Sequence, residues 1–202
     1  MHIEKILLKA SLHLESENYI KLEQDFWDAI GLIEKYTGVS YYDIKKDFSS
    51  EGIKKYILDI LGEYFSNSTK LSIFGFEQSI PFKTLNMQVA EKMKGDYMKN
   101  QYQDVEKLLA SKIPVLVYQG QDDLIVSTSG TMKWVDELKH SESKNFKSKN
   151  LSPWKVNGNV AGFTKSAGNL TLTIIKDAGH FAPGDSPSNA FQMVKQFITA
   201  TS

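Results

Sequence analysis

Two segments rich in apolar and β-branched residues constrain the fold most strongly, because each predicts a strand that is apolar on both faces. The first is IPVLVYQG at residues 113–120, and the second is LTLTIIK at residues 170–176. Such continuous runs favour strands that are buried on both faces of a parallel sheet. A helical pattern follows each of them, at 131–140 and at 186–198. The order of strand, helix, long connection, strand and helix predicts the end of a doubly wound α/β sheet.

The first half of the chain is predicted to be helical. Between Leu22 and Ile33 the apolar residues recur at helical spacing, and Gly38 is well placed to end that helix. Similar patterns predict a second helix over residues 51–65 and a third from about 88 to 109.

The pattern changes at Ile113, which divides the chain into two expected regions. Residues 1–110 are predicted to be a helical region, and residues 111–202 are predicted to carry the strands and their helices. The closing helix should begin after Ser186, which is a good N-cap residue. Its apolar residues Phe191, Val194 and Phe197 form one face.

Composition and charge exclude several classes of function. Lys and Arg together number 24, Asp and Glu together also number 24, and there is no cysteine. A balanced charge gives no electrostatic footprint for nucleic acid, and the absence of cysteine excludes disulfides and thiolate metal sites. No apolar stretch approaches the length of a membrane span, and the N-terminus has no apolar run that would suit a signal peptide. We therefore expect neither a nucleic-acid partner nor a membrane span.

A candidate functional side chain follows each of the two predicted strands. Asp122 and Asp123 come just after the first strand, and His180 comes just after the second, in AGHFAP. The carboxyl ends of parallel strands meet at one edge of the sheet, where functional groups gather in open α/β folds. An aspartate and a later histidine in this arrangement match the Asp-then-His order of hydrolases that use a Ser, Asp and His triad. In that chemistry the histidine is the general base, and the aspartate orients it and stabilises the imidazolium.

Each of these residues also has a purely structural interpretation. An aspartate after a strand often caps a helix or forms a turn, and a single histidine is often simply packed in the core. Spacing alone leaves both interpretations open. The other histidines, His2, His13 and His140, have no evident partner in the sequence.

Two motifs resemble the serine carboxypeptidase family (peptidase family S10). The segment VLVYQGQDDLIVSTSGTMKWVDELK, residues 115–139, is similar to the family's Tyr-x-Gly-x-x-Asp-x-Ile-Val/Cys strand end. The segment around GHFAP is similar to its closing Gly-His-Met-Val-Pro motif. The wording Gly-Gln-x-Asp-Leu-Ile-Val resembles the retinoid-inducible branch of the family. The resemblance implies the C-terminal part of an α/β-hydrolase core, preceded by a helical insertion or cap.

The resemblance also implies roles for individual residues. By position, the catalytic aspartate is Asp123 and the catalytic histidine is His180. Phe181 stands where the family usually has methionine, and it is the candidate substrate-binding residue. Asp122 is the neighbour of Asp123, and it is expected to act in a turn or cap.

The nucleophile of the family is absent from these 202 residues. Its elbow, Gly-x-Ser-Tyr-Gly/Ala-Gly, needs small residues where a strand turns sharply into a helix. The nearest wording is TGVSYYD, in which Tyr42 and Asp43 occupy the positions of those small residues after Ser40. Ser40 is therefore rejected as the nucleophile. The oxyanion-hole glycines and the residues that bind the substrate's terminal carboxylate are also missing.

These observations lead to two functional hypotheses. In the first, the chain is the C-terminal part of a serine carboxypeptidase that supplies Asp123 and His180, while an N-terminal half in another chain supplies the serine. It would then be inactive in isolation, and the complemented site would act on peptides. In the second, the chain is a catalytically inactive subunit with a structural or binding role. Both hypotheses predict a large partner surface, because the strands need neighbours on the sheet.

We expect neither a cofactor nor a metal site, because side chains alone carry this chemistry. Family resemblance implies a lysosomal, vacuolar or secreted location. The lack of cysteine and of a signal peptide leaves an intracellular reducing compartment open.

Overall fold

A computed structural model describes residues 2–47, 61–66, 72–73, 75, 83 and 86–201. Its helices and strands in chain order are α1 (His2–Glu15), α2 (Tyr19–Thr37), β1 (Val39–Ser40), β2 (Asp43–Asp47), α3 (Met87–Lys92), α4 (Tyr102–Ala110), β3 (Val115–Gly120), α5 (Thr128–Asp136), α6 (Ser143–Ser148), β4 (Ser152–Val156), β5 (Asn159–Ala167), β6 (Leu170–Ile175), α7 (Ala182–Asp185) and α8 (Pro187–Thr201). Of the helix predicted over residues 51–65, only residues 61–65 are described, and they are helical.

The chain forms two compact units. The first contains Met1–Gly38 and Asp47–Lys99, and the second contains Val39–Lys46 and Asn100–Ser202. The short segment 39–46, which carries β1 and most of β2, therefore joins the unit that holds the main sheet. No local pattern indicated this, because the composition of segment 39–46 continues that of the helical region.

In the first unit, α1 and α2 form a helical pair. The side chain of Asn18 caps α2 by accepting a hydrogen bond from the Lys21 backbone N–H, and Gly38 ends the helix at a φ of 71°. The expected stop at Gly38 is thus confirmed. The sequence showed no evident partner for His13, and the structure supplies one, because its Nδ1 hydrogen-bonds the buried Asp25 carboxylate of α2.

The third predicted helix, from 88 to 109, is divided in the structure into α3 and α4. The cause lies at Gly95, whose φ of 77° is incompatible with a continuing helix. Its backbone N–H donates to Glu23 of α2 at 2.8 Å instead of bonding within a helix. None of the described helices is long and apolar enough to cross a membrane.

The second unit is built on a four-stranded sheet in the order β3–β6–β5–β4. Strands β3 and β6 are parallel, as the sequence predicted, whereas β5 runs antiparallel to both β6 and β4. The β4–β5 hairpin was missed, and it occupies the long connection before β6. Its turn is Asn157-Gly158, with positive φ at both residues as a type I′ turn requires.

The core of the second unit lies on both faces of β6. Five of the six residues of this strand are buried. On one face they pack with Val135 of α5, Phe146 of α6 and Leu138 of the connection between these helices. On the other face Ile175 packs with Ala190 and Met193 of α8. Burial on both faces explains why β6 consists of apolar and β-branched residues without a charged side chain.

Two predicted apolar surfaces are more exposed than the sequence suggested. Strand β3 lies at the edge of the described sheet, and its Tyr118 is 45% exposed. In α8 the predicted face of Phe191 and Val194 is 65% and 44% exposed, because the helix turns Ala190 and Met193 toward the sheet instead. Apolar positions predict which residues prefer burial, but they do not show what covers them.

We expect Leu172→Ala to lower the free energy of unfolding by about 2–5 kcal/mol, because it opens a cavity at a fully buried position of β6. The matched control Val160→Ala, at an exposed position of β5, should cost less than about 1 kcal/mol. Urea unfolding followed by circular dichroism measures both changes. Equal losses in the two variants would contradict the assignment of β6 as the core strand.

Candidate active site

Parallel pairing of β3 with β6 brings the two predicted loops together. The strands pair in register from Val115 with Leu170 to Gly120 with Ile175, so both strands end at the same level of the sheet. Beyond the strands, the backbone N–H of Asp122 donates to the carbonyl of Ala178 at 2.8 Å. The loop that carries Asp123 is therefore bonded directly to the loop that carries His180.

Two glycines make close backbone approaches at the site sterically feasible, the first between the two loops and the second between the His180 loop and the segment 39–46. A Cβ at Gly120 would lie 2.1 Å from the carbonyl oxygen of Gly179. A Cβ at Gly179 would lie 2.2 Å from the carbonyl oxygen of Tyr42. Any larger residue would have to displace backbone rather than a flexible side chain, so the site depends on glycine at both positions.

The structure brings Asp123 and His180 into direct contact. Nδ1 of His180 lies 3.0 Å from Oδ2 of Asp123. The Asp123 side chain is only 2% exposed, whereas that of His180 is 35% exposed. The other oxygen of Asp123 accepts a hydrogen bond from the Val126 backbone N–H at 3.0 Å. Asp123 thus has both the turn-forming contact and the histidine contact that the sequence left as alternatives.

A buried chain of hydrogen bonds orients the aspartate, and sequence reasoning missed it. Nε2 of Gln119 donates to Oδ2 of Asp123 at 2.7 Å. The hydroxyl of Thr131 donates to Oε1 of Gln119 at 3.1 Å, which fixes the orientation of that amide. Both residues are buried. Gln119 is the penultimate residue of an otherwise apolar strand, so its polar side chain was the sequence signal that could have indicated this hydrogen bond to Asp123.

The segment 39–46 packs against both loops of the candidate site. The backbone N–H groups of Leu124 and Ile125 both donate to the carbonyl of Tyr41. The backbone N–H of His180 donates to the carbonyl of Tyr42 at 2.7 Å. The segment therefore supports the backbone on each side of the Asp123–His180 contact.

Charged groups of this segment pair with carboxylates of the loops. The pKa of Lys45 is raised, mainly by its hydrogen bonds to Asp177 and Asp122. The pKa of Asp177 is lowered, first by Lys45 and then by Lys176. Asp122 was expected to serve a turn or cap, but its buried carboxylate instead pairs with the ammonium of Lys45.

Aromatic rings lie beside His180. The ring of Tyr42 has its centroid 5.3 Å from the His180 ring and 5.3 Å from the Phe181 ring. Phe181 meets His180 edge-on at an interplanar angle of 82° and is largely exposed. Together these rings form an apolar surface next to the imidazole.

Ser40 has a local structural contact. It lies in β1, and its hydroxyl accepts a hydrogen bond from the backbone N–H of Tyr42 at 3.2 Å. The hydrogen bond described for the His180 ring is made to Asp123. His140 packs edge-on against Phe146, and burial lowers its pKa despite the opposing charge of Glu142.

Comparison with known proteins adds independent information. The sequence profile of a family described as serine carboxypeptidase matches residues 14–200. The chain is 35% identical over 164 residues to a serine carboxypeptidase-like protein of Pisum sativum, covering 81% of this chain and 56% of that protein. It is 31% identical over 165 residues to carboxypeptidase Y of Komagataella phaffii, covering 81% of this chain and 31% of that protein. The chain thus spans about a third to about half of the length of these relatives.

A solved structure matches the fold. The crystal structure of Kex1(delta)p, a prohormone-processing carboxypeptidase from Saccharomyces cerevisiae, is similar with a TM-score of 0.76 and 20% sequence identity. The match covers 98% of this chain and 47% of that one. It confirms the α/β-hydrolase class that the sequence predicted.

We expect Gly120→Ala to disturb the candidate site, because its Cβ would collide with the carbonyl oxygens of Gly179 and Ala178. The change should lower the free energy of unfolding by about 1–3 kcal/mol, as for other overpacked positions. It should also lengthen the Asp123–His180 contact beyond about 3.5 Å in a crystal structure of the variant.

The control for this prediction is Gly184→Ala, whose Cβ would lie 3.9 Å from its nearest neighbour. Unchanged stability and an intact Asp123–His180 hydrogen bond in Gly120→Ala would show that the two loops do not need a glycine there.

Proposed function

Because the chain belongs to the serine carboxypeptidase family, we propose that Asp123 and His180 are the aspartate and histidine of a serine peptidase site that releases C-terminal residues from peptides. The observation that carries the proposal is the 3.0 Å contact between Nδ1 of His180 and a buried oxygen of Asp123. A carboxylate in this position fixes the imidazole tautomer that leaves Nε2 able to accept a proton.

In the proposed reaction, Nε2 of His180 takes the proton of the serine hydroxyl as its oxygen attacks the scissile carbonyl carbon. His180 then gives that proton to the departing amine as the C–N bond breaks and an acyl-enzyme forms. Water attacks the acyl-enzyme with the same histidine as base, and the serine is regenerated. Asp123 orients the ring and stabilises the imidazolium.

The serine must come from outside these 202 residues, because the sequence contains no nucleophile elbow. We propose that an N-terminal half of the enzyme supplies it, together with the oxyanion hole. The exposed edge of β3 and the exposed apolar residues of α8 support this, since a strand edge and an apolar helix face both favour a covering partner. The 47% coverage of the yeast structure is consistent with the same missing half.

The substrate is proposed to be a peptide whose departing residue lies against Phe181. This ring is exposed beside His180 and is held by Tyr42. An aromatic surface at this place favours apolar side chains in the departing residue. We also propose that the protein belongs to the retinoid-inducible branch of the family. Its proposed location is lysosomal, vacuolar or secreted.

The first experiment is an intact-mass measurement, under native and then denaturing conditions, of the protein purified from its source. We expect the measurement to reveal additional polypeptide mass that carries a Gly-x-Ser-Tyr-Gly/Ala-Gly elbow, either in a separate chain or in a longer form of this one. A protein without any such elbow would contradict the peptidase function and favour a catalytically inactive, structural or binding subunit.

A fluorophosphonate probe tests the role of His180 in the assembled protein. The probe should label the elbow serine, and His180→Ala should abolish the labelling because the serine then lacks its base. His13→Ala is the matched control, since His13 also bonds an aspartate through Nδ1 but lies in the first unit. Equal labelling of wild type and His180→Ala would overturn the assignment.

Asp123→Asn should lower kcat by about 10⁴-fold, because an amide holds the imidazole in the wrong tautomer. Peptide hydrolysis by the assembled protein measures this effect. Asp104→Asn is the control, because Asp104 forms an exposed ion pair with Lys107 within α4. A decrease in kcat that is equally large in both variants would show that the effect is not specific to the site.

A further inference from the structure

The two lysines of β2 contact carboxylates on both sides of the candidate site. Nζ of Lys45 lies 3.0 Å from Oδ2 of Asp122 and also contacts Oδ1 of Asp177. Asp122 directly precedes Asp123, and Asp177 lies three residues before His180. One ammonium group therefore joins the loop after β3 to the loop after β6.

Burial makes the contact with Asp122 the more consequential of the two. The Asp122 side chain is 6% exposed, and its Oδ2 accepts no hydrogen bond of standard geometry from the described part of the chain, so the ammonium of Lys45 at 3.0 Å compensates its charge as an ion pair. A buried carboxylate is strongly destabilised when its counter-charge is removed. The contact with Asp177 is exposed and is screened by solvent, so it contributes less.

The second lysine acts on the histidine side of the site. Nζ of Lys46 lies 2.7 Å from Oδ1 of Asp185 and 2.9 Å from Oδ2 of Asp43. The other oxygen of Asp185 accepts a hydrogen bond from the backbone N–H of Gly179 at 2.9 Å. Lys46 thus orients the carboxylate that holds the residue immediately before His180.

Backbone hydrogen bonds place the same segment against both loops. The N–H of Ile44 donates to the carbonyl of Asp122 at 2.9 Å, and the N–H of His180 donates to the carbonyl of Tyr42 at 2.7 Å. Both bonds require the segment 39–46 to lie against the loops. The lysine side chains of this segment add ion pairs with carboxylates of the same loops.

We infer that Lys45 and Lys46 are positioning residues, which hold the loops of Asp123 and His180 at the spacing that their hydrogen bond requires. The inference rests on the proposed function only where it predicts an effect of the two lysines on catalysis. Neither lysine is described in contact with Asp123 or His180, so both act through the neighbouring residues. The pair therefore governs the geometry of the site and not substrate affinity.

Hydrogen–deuterium exchange tests the positioning without any need for activity. In the assembled protein, Lys45→Met should raise the exchange rate of the backbone N–H groups of residues 42–45 and 178–181 at least tenfold, with the β4–β5 hairpin unchanged. Lys45→Arg should restore the wild-type rate, because it retains a cation with several donors. Lys107→Met is the control, since it removes an exposed ion pair from the same unit.

Steady-state kinetics of the same variants test the consequence for catalysis. Lys45→Met and Lys46→Met should each lower kcat about tenfold to hundredfold, because small displacements of catalytic groups have effects of this size. KM should change less than about threefold, because neither lysine is placed to contact substrate. Lys45→Arg should return kcat to within about threefold of wild type.

The results separate this inference from the proposed function. Unchanged exchange at both loops in Lys45→Met would overturn the positioning role whatever the activity. Increased exchange together with an inactive wild-type protein would sustain the positioning of the loops and refute the peptidase function. A rise in KM with constant kcat would also overturn the inference, because it would indicate a contact with substrate.

Discussion

The candidate site depends on two close backbone approaches: a Cβ at Gly120 would collide with the loop after β6, and a Cβ at Gly179 would collide with Tyr42 and Asp43 of the segment 39–46. The first approach follows from the parallel, in-register pairing of β3 with β6, which ends both strands at the same level. Once the backbones are this close, the side chains of Asp123 and His180 are within hydrogen-bond distance. The geometry of the site therefore depends on the register of the sheet and on glycine at positions 120 and 179.

The segment 39–46 completes this arrangement from a distant part of the sequence. It provides backbone carbonyl groups to both loops, the Tyr42 ring beside His180, and two ammonium groups for the surrounding carboxylates. Such a site has its reactive residues on loops and its supporting residues on a separate element. In this chain the supporting element is a short strand pair that follows α2.

The sequence predicted the parts of the structure that depend on local pattern. The apolar and β-branched β6 indicated burial on two faces, and Gly38 indicated the end of α2. These features are encoded within a few residues, so periodicity and turn chemistry reveal them. The two strand-end loops indicated that an aspartate and His180 could meet, and the family resemblance selected Asp123.

The features that the sequence did not predict depend on distant partners or on overlooked turn chemistry. Lys45 and Asp122 are far apart in the chain, and nothing local shows that a buried carboxylate awaits a lysine from β2. The exposed face of α8 shows the same limit, because a helix pattern does not identify its cover. The β4–β5 hairpin was predictable in principle, since Asn157-Gly158 is a strong hairpin signal.

The surroundings of Nε2 of His180, in a crystal structure of the assembled protein, decide whether the Asp123–His180 pair belongs to a serine peptidase site. We expect a serine hydroxyl at about 2.6–3.2 Å from Nε2, on a strand-to-helix turn, with Nδ1 still bonded to Asp123. A structure in which no serine, threonine or cysteine side chain lies near Nε2 would contradict it. The Asp123–His180 pair would then be a structural contact and not part of a peptidase.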